Sequence, residues 1–153
     1  MGWAFEIHEV KRAEVRLIEK QSGTEHGTLG DSFLAETLAQ LNAWRTINAN
    51  SQKWGITKKT KVTLITDSQS TLQSLNSMNP NYSATAELQM ELAIVPAKTR
   101  FRWIPARCDC KEQDAVDRAA TEAAEKNENT ARKLMLFQHV HSKQPENQCL
   151  FNR

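Results

Sequence analysis

The chain has 153 residues, with 20 lysines and arginines against 18 aspartates and glutamates, and 39% of its residues are hydrophobic. This size and composition fit one globular domain with its own core, and they exclude a mainly disordered chain and a membrane span of about 20 apolar residues. Three cysteines, an odd number, argue against a disulfide framework and for a reducing, intracellular environment.

Alternating polar and apolar residues predict two strands near the start of the chain, over residues 3–10 and 13–19. Because they are close in sequence, we expect an antiparallel hairpin. Three of the five glycines lie in residues 22–31 and predict a loop. Apolar residues at helical spacing then predict a helix that begins near Ser32 and reaches at least Trp44.

The rest of the chain alternates predicted helices and strands. The patterns predict a buried strand over 62–66, helices over 68–77 and 84–95, and a strand over 100–104. The alanine-rich segment 114–126 predicts another helix, and residues 130–141 a further one. The order β-β-α-β-α-α-β-α, followed by a tail, is typical of a mixed α/β domain.

Three carboxylates lie where such a domain commonly binds a ligand. Glu36 lies inside the first predicted helix, Asp67 directly follows the buried strand, and Asp117 lies one turn into the alanine-rich helix. Open α/β sheets bind ligands at the carboxyl ends of their strands, and three converging carboxylates suit Mg²⁺. Taken singly, each of these acids is more often a solvated or capping residue.

The strings around the three acids are LAETLAQLNAW for Glu36, VTLITDSQSTLQSL for Asp67 and FRWIPARCDCKEQDAVDRAATEAA for Asp117. In this order, over about residues 2–126, they resemble the retroviral-type ribonuclease H-like superfamily, and most of all the ribonuclease H domains of non-LTR retrotransposons. The resemblance implies a ribonuclease H-like mixed sheet with flanking helices. It also implies that Glu36, Asp67 and Asp117 are the catalytic residues and would hold two Mg²⁺ ions in an active enzyme.

The chain departs from the family pattern after the matching W-x-P of Trp103 to Pro105. The family continues with Gly-His, where this chain has Ala106 and Arg107. An arginine stays charged near neutral pH and cannot shuttle protons, although it can contact a phosphate. Further on, Gln113 and Asp114 replace the family's Asn-Glu.

A second departure is that the first central strand is missing from the expected position. In the family that strand carries a DGS turn and the first catalytic aspartate, and it lies between the second and fourth strands. Residues 2–5 already resemble the second strand, so either another segment or another chain fills the gap, or this sequence is a piece of a longer product. Aligning residues 3–10 with the first strand instead would bring Glu6 or Glu9 near the site, but it leaves too few strands before Glu36.

Two functions stay open. The first is a degenerate, retrotransposon-derived domain at 1–126 that does not cleave, binds no metal and acts as a nucleic-acid-binding or structural component of a larger ribonucleoprotein assembly. Residues 127–153, which hold the excess positive charge, would be its docking tail. The alternative is an active Mg²⁺-dependent endonuclease that cuts the RNA strand of RNA–DNA hybrids. The expected partners are RNA or a hybrid, and a protein that contacts 127–153 or completes the sheet.

Other residues have two interpretations each. Lys58 and Lys59, like Arg107, are candidate phosphate contacts, or the two lysines belong to a solvated turn. The thiols and imidazoles near the C-terminus, namely Cys108, Cys110, His139, His141 and Cys149, are a candidate zinc set or incidental. The aromatic residues expected in the core are Trp3, Phe33, Trp44, Phe101 and Trp103, whereas Trp54 is expected at the surface.

Overall fold

A computed structural model describes residues 2–12, 14–24, 32–105 and 133–141. The elements in chain order are β1 (Gly2–Lys11), β2 (Glu14–Thr24), α1 (Ser32–Ala49), β3 (Lys61–Thr66), α2 (Gln69–Ser74), α3 (Ser83–Ile94), β4 (Lys98–Trp103) and β5 (Lys133–His141). The mixed α/β class is confirmed, as are the predicted strands and helices between residues 3 and 104. The predicted helix over 114–126 lies outside the described residues.

The described strands form one sheet in the order β2-β1-β5-β3-β4. β1 is antiparallel to both β2 and β5, whereas β3 is parallel to both β5 and β4. The sheet therefore has an antiparallel half and a parallel half that meet at β5. In the part of the chain that the structure describes, no helix combines the length and hydropathy that a membrane crossing requires.

β5 is the largest difference between the structure and the expectation from sequence. The predicted helix over 130–141 is wrong, because residues 133–141 form a strand in the middle of the sheet. The apolar run LMLF suits a strand covered on both faces, and Leu136 is fully buried. This segment fills the gap expected between β1 and β3. Because β5 pairs with both strands, their backbone groups on the facing edges are hydrogen-bonded. These nine residues of the predicted tail belong to the sheet, and the rest of 127–153 lies outside the described residues.

The core lies between the sheet and α1. Phe5 and Ile7 of β1 are fully buried while Glu6 between them is half-buried, as the period of two requires. The largest fully buried side chains are Trp44, Phe5, Ile7, Leu41, Ile47, Leu64, Leu88 and Leu136. The predicted surface exposure of Trp54 is wrong, because this residue is 9% exposed and joins the core. The turn after α1 places it there, and in that turn its backbone N–H donates to the Asn50 carbonyl at 2.9 Å.

β2 extends further than its sequence pattern predicts. It pairs with β1 up to the register Gly2 with Thr24, so the predicted loop from residue 22 begins as strand. Gly23 lies opposite Trp3, and a Cβ atom there would come within 2.5 Å of the indole ring. This glycine therefore allows a close approach to Trp3 and does not mark a turn.

The two aromatic residues of β4 are not core residues. Phe101 and Trp103 are 41% and 49% exposed, so the prediction that they lie in the core is wrong. The reason is the position of β4, which is the last described strand in the sheet order and pairs only with β3 among the described strands. The alternation of Arg100 to Trp103 correctly predicts a strand, but it does not reveal that the strand lies at an edge.

Candidate functional site

The candidate site lies at the carboxyl end of β3, where the chain turns into α2. Asp67 is the first residue after β3 and is exposed, whereas the next residue, Ser68, is buried. Ser68 caps α2, because its hydroxyl oxygen accepts a hydrogen bond from the backbone N–H of Thr71 at 3.3 Å. Its own N–H donates to the Thr66 hydroxyl at 3.1 Å. The local sequence TDSQST thus fixes the backbone on both sides of Asp67.

Glu36 reaches the same place from α1. The Ser68 hydroxyl donates a hydrogen bond to the Glu36 carboxylate. A serine hydroxyl has a single proton, so Thr71, whose hydroxyl lies 2.8 Å from that of Ser68, is the donor in their contact. The structure therefore brings two of the predicted site residues together, with Asp67 next to the serine that binds Glu36. The resemblance quotes Ser68 as part of DSQS but gives it no role; a serine at the start of a predicted helix is the sequence signal for an N-cap.

β4 supports the backbone of Asp67 from the other side. The Trp103 indole N–H donates to the Asp67 carbonyl at 3.0 Å, and the Ile104 N–H donates to the Thr66 carbonyl at 3.0 Å. Trp103 belongs to the W-x-P segment, so this motif holds the end of β3 in place. A hydrogen-bonding role of this kind explains a tryptophan that stays half exposed.

The other predicted site residues are not part of this arrangement. Asp117 and Arg107 lie outside the described residues, as do the three cysteines of the candidate zinc set. Lys58 and Lys59 are exposed in the turn before β3, so the whole length of β3 separates them from Asp67. Within the described ranges, no three acidic, histidine or cysteine side chains are grouped as a metal site.

The strand beside β3 brings no acid to the site. Ile65 of β3 is in register with Phe137 of β5, so β5 passes the carboxyl end of β3 at the level where Asp67 follows. The sequence of β5, KLMLFQHVH, contains neither aspartate nor glutamate. Two carboxylates, Glu36 and Asp67, are thus the acids that the described residues place at this end of the sheet.

Glu6 and Glu9, the acids of the alternative alignment, lie elsewhere. β5 separates β1 from β3, so β1 is not the strand next to Asp67. Glu9 bonds Arg16 at 2.8 Å, and Glu6 bonds Lys20 at 2.7 Å and His8 at 3.1 Å. Burial raises the pKa of Glu6, but the hydrogen bonds and charges of Lys20 and His8 outweigh it, so this pKa lies below its ordinary value. Both glutamates therefore stabilise the antiparallel half of the sheet.

Comparison of the sequence with models of known protein families, with curated proteins and with solved structures gives no match in any of the three.

Proposed function

We propose that this chain is a degenerate ribonuclease H-like domain of retrotransposon origin that does not cleave, and that it acts as a nucleic-acid-binding component of a larger assembly. The strand order supports the proposed fold. In the family that the sequence resembles, the first strand lies between the second and the fourth. β1 and β3 resemble the second and fourth strands, and β5 occupies the position between them.

The absence of an acid from β5 is the observation that carries the non-cleaving function. The strand at this position in the family supplies the first catalytic aspartate, whereas residues 133–141 contain no carboxylate. In the sequence, Arg107 also replaces the histidine of the family motif. Two-metal cleavage requires a set of carboxylates that clamps both ions. Glu36 and Asp67 alone are too few for that, and Glu36 already accepts the hydrogen bond from Ser68.

The oxygen ligands present could hold a single hard cation at most. Carboxylate oxygens suit Mg²⁺, and Glu36 and Asp67 are the described residues that would contribute them. The described residues therefore do not fit the two-ion site of the family. In a non-cleaving domain, Glu36 and Asp67 act as hydrogen-bond acceptors, to which ribose hydroxyls can donate.

An active endonuclease is the second candidate, and the meeting of Glu36 and Asp67 at one strand end favours it. Its expected completion by a strand from upstream or from a partner finds no place between β1 and β3, because β5 is already there. Cleavage would then need Asp117 and a further acid from outside the described residues.

A cleavage assay separates the two candidates. The chain is incubated with an end-labelled RNA–DNA hybrid and Mg²⁺, with Asp67→Asn as a matched variant, and hybrid binding is measured by fluorescence anisotropy in parallel. We expect binding without cleavage for both proteins. Cleavage that Asp67→Asn abolishes would show that the domain is an active enzyme. A wild type that neither binds nor cleaves the hybrid would contradict the endonuclease.

A further inference from the structure

The edge of the sheet at β4 carries a concentration of positive charge. Several exposed basic residues lie there, Arg102 among them, and we call four of them, Lys58, Lys59, Lys98 and Arg100, the basic edge. The backbone N–H of Lys98 donates to the Thr60 carbonyl at 2.9 Å, which sets the turn with the two lysines beside the start of β4. The sequence contains no acid in residues 50–66 or 92–105 to offset this charge.

The basic edge is not neutralised by ion pairs. Among the residues that the structure describes, the ion pairs involve the side chains of His8, Arg16, Lys20 and Arg45, and none of the four basic-edge residues. The acids nearest in sequence are Asp67, at the far end of β3, and Glu91 of α3, which pairs with Arg45. Clustered cations without such partners attract polyanions, and the nucleic-acid backbone is the commonest polyanion that proteins bind.

Aromatic rings line the other face of the same strand. Phe101 and Trp103 alternate with Arg100 along β4 and therefore lie on the opposite face from it. Both rings are held: Phe101 packs on Trp44 with the ring centroids 6.3 Å apart, and the Trp103 indole bonds the Asp67 carbonyl. One edge thus offers cations on one side and fixed, exposed rings on the other.

We propose that the basic edge, together with Phe101 and Trp103, binds single-stranded nucleic acid, with phosphates along the cations and bases stacked on the rings. This inference rests on the nucleic-acid-binding role proposed above and gives it a surface. Single strands fit best, because stacking on a protein ring requires a base that is not already paired and stacked in a duplex. A protein strand pairing with β4 is disfavoured, since lysines and arginines on an edge strand oppose strand addition.

The test uses the full chain and a fluorescein-labelled oligouridylate of about 12 nucleotides, within the site sizes known for single-strand binders. Binding is followed by anisotropy while KCl is raised. Lys98→Ser/Arg100→Ser removes two charges from the basic edge. Lys11→Ser/Arg12→Asn removes two exposed charges from the β1–β2 turn, with asparagine chosen because residue 12 has a positive φ of 50°. Phe101→Leu keeps an apolar side chain but removes the ring.

We expect the basic-edge variant to bind more weakly, with a plot of log K against log [KCl] that is shallower by about 1.4 because two phosphate contacts are lost. The turn variant should retain the wild-type slope. Phe101→Leu should weaken binding by at least about fivefold without changing the slope. Circular dichroism confirms that each variant is folded.

Three outcomes overturn the inference. If the two double variants bind equally well, the charge acts diffusely and the basic edge is not the site, although the proposed nucleic-acid-binding function stands. If the folded wild type binds the RNA–DNA hybrid but not the oligonucleotide at low salt, the single-strand inference fails and the proposed function stands; if it binds neither, both proposals fail. If the wild type self-associates in sedimentation experiments and the basic-edge variant self-associates more strongly, the occupant of this edge is a protein strand.

Discussion

Glu6 illustrates how a single carboxylate in this chain serves stability. It lies on β1, half-buried, and holds Lys20 of β2 and His8 of its own strand. The sequence makes Glu6 a candidate for the carboxylate site only in the alternative alignment of residues 3–10. In the structure it pairs with two basic groups. The energy involved is modest, because Lys20 is largely exposed to solvent.

The low pKa of Glu6 gives a pH prediction with a definite sign. A carboxylate whose pKa is lower in the folded state stabilises the fold above its ordinary pKa of 4.5, and this contribution is lost as the pH falls through the folded value. Glu6→Gln should therefore lower the free energy of unfolding near neutral pH by about 1 kcal/mol or less, and the difference from wild type should shrink in acid.

The measurement is urea denaturation at a series of pH values. Glu14→Gln, at an exposed position of β2, is the control for the loss of one negative charge. A difference between wild type and Glu6→Gln that stays constant from neutral to strongly acidic pH would contradict the assignment of the ion pairs.

At the scale of elements, the start of α2 joins three parts of the molecule. The Ser68 hydroxyl caps the helix, binds the carboxylate of Glu36 on α1, and lies directly after the end of β3. α2 has only six residues, too few to be stable by propensity alone. Its position therefore depends on its cap and on its contacts with α1.

Ser68→Ala should destabilise the protein by about 1–2 kcal/mol, because the cap is lost and the half-buried Glu36 carboxylate loses a donor. Chemical denaturation measures the change. Ser70→Ala, two residues away and exposed, should change the stability by less than about 0.5 kcal/mol. Equal effects of the two substitutions would mean that Ser68 does not link the helices.

At the scale of the whole molecule, β5 decides whether the sheet is continuous. Without it, the β1–β2 pair and the β3–β4 pair would share no backbone hydrogen bonds. Leu136 also packs fully buried in the core with residues from β1, α1 and β3. The antiparallel and parallel halves of the domain are therefore held together by residues 133–141.

Leu136→Ala tests this role. A fully buried leucine in a shared core should cost about 2–5 kcal/mol when it is truncated to alanine. Leu17→Ala on β2, where the side chain is 49% exposed, is the matched control and should cost no more than about 0.5 kcal/mol. Thermal and urea unfolding give both values. Equal small losses would show that 133–141 is an appended tail.

The sequence predicts the local elements well because each depends on the spacing of nearby residues. The alternation in 3–10 and the apolar spacing from Phe33 to Trp44 are properties of single segments. Which strands become neighbours depends on contacts between distant segments, so LMLF at 134–137 does not by itself identify a central strand. For the same reason the alternation around Trp103 predicts a core position, although its strand lies at an edge and the side chain is 49% exposed.

The candidate site was predictable in part. The position of Asp67 after a buried strand and the resemblance around Glu36 predict that the two acids lie close, and both reach the carboxyl end of β3. The hydrogen bonds of Ser68 and Trp103 depend on three-dimensional contacts that no local pattern encodes. Asp117 lies outside the described residues, so its place in the site stays a prediction.

The central position of β5 also has a consequence for folding during synthesis. The ribosome makes β1, β2, β3 and β4 before it makes residues 133–141. Until β5 is made, β1 and β3 each lack the strand that pairs with them in the folded sheet. Pairing of β5 with β1 closes a loop of more than a hundred residues, a type of contact that slows folding. Until that contact forms, the nascent chain exposes two open strand edges, which are the surfaces that chaperones protect and that aggregation exploits.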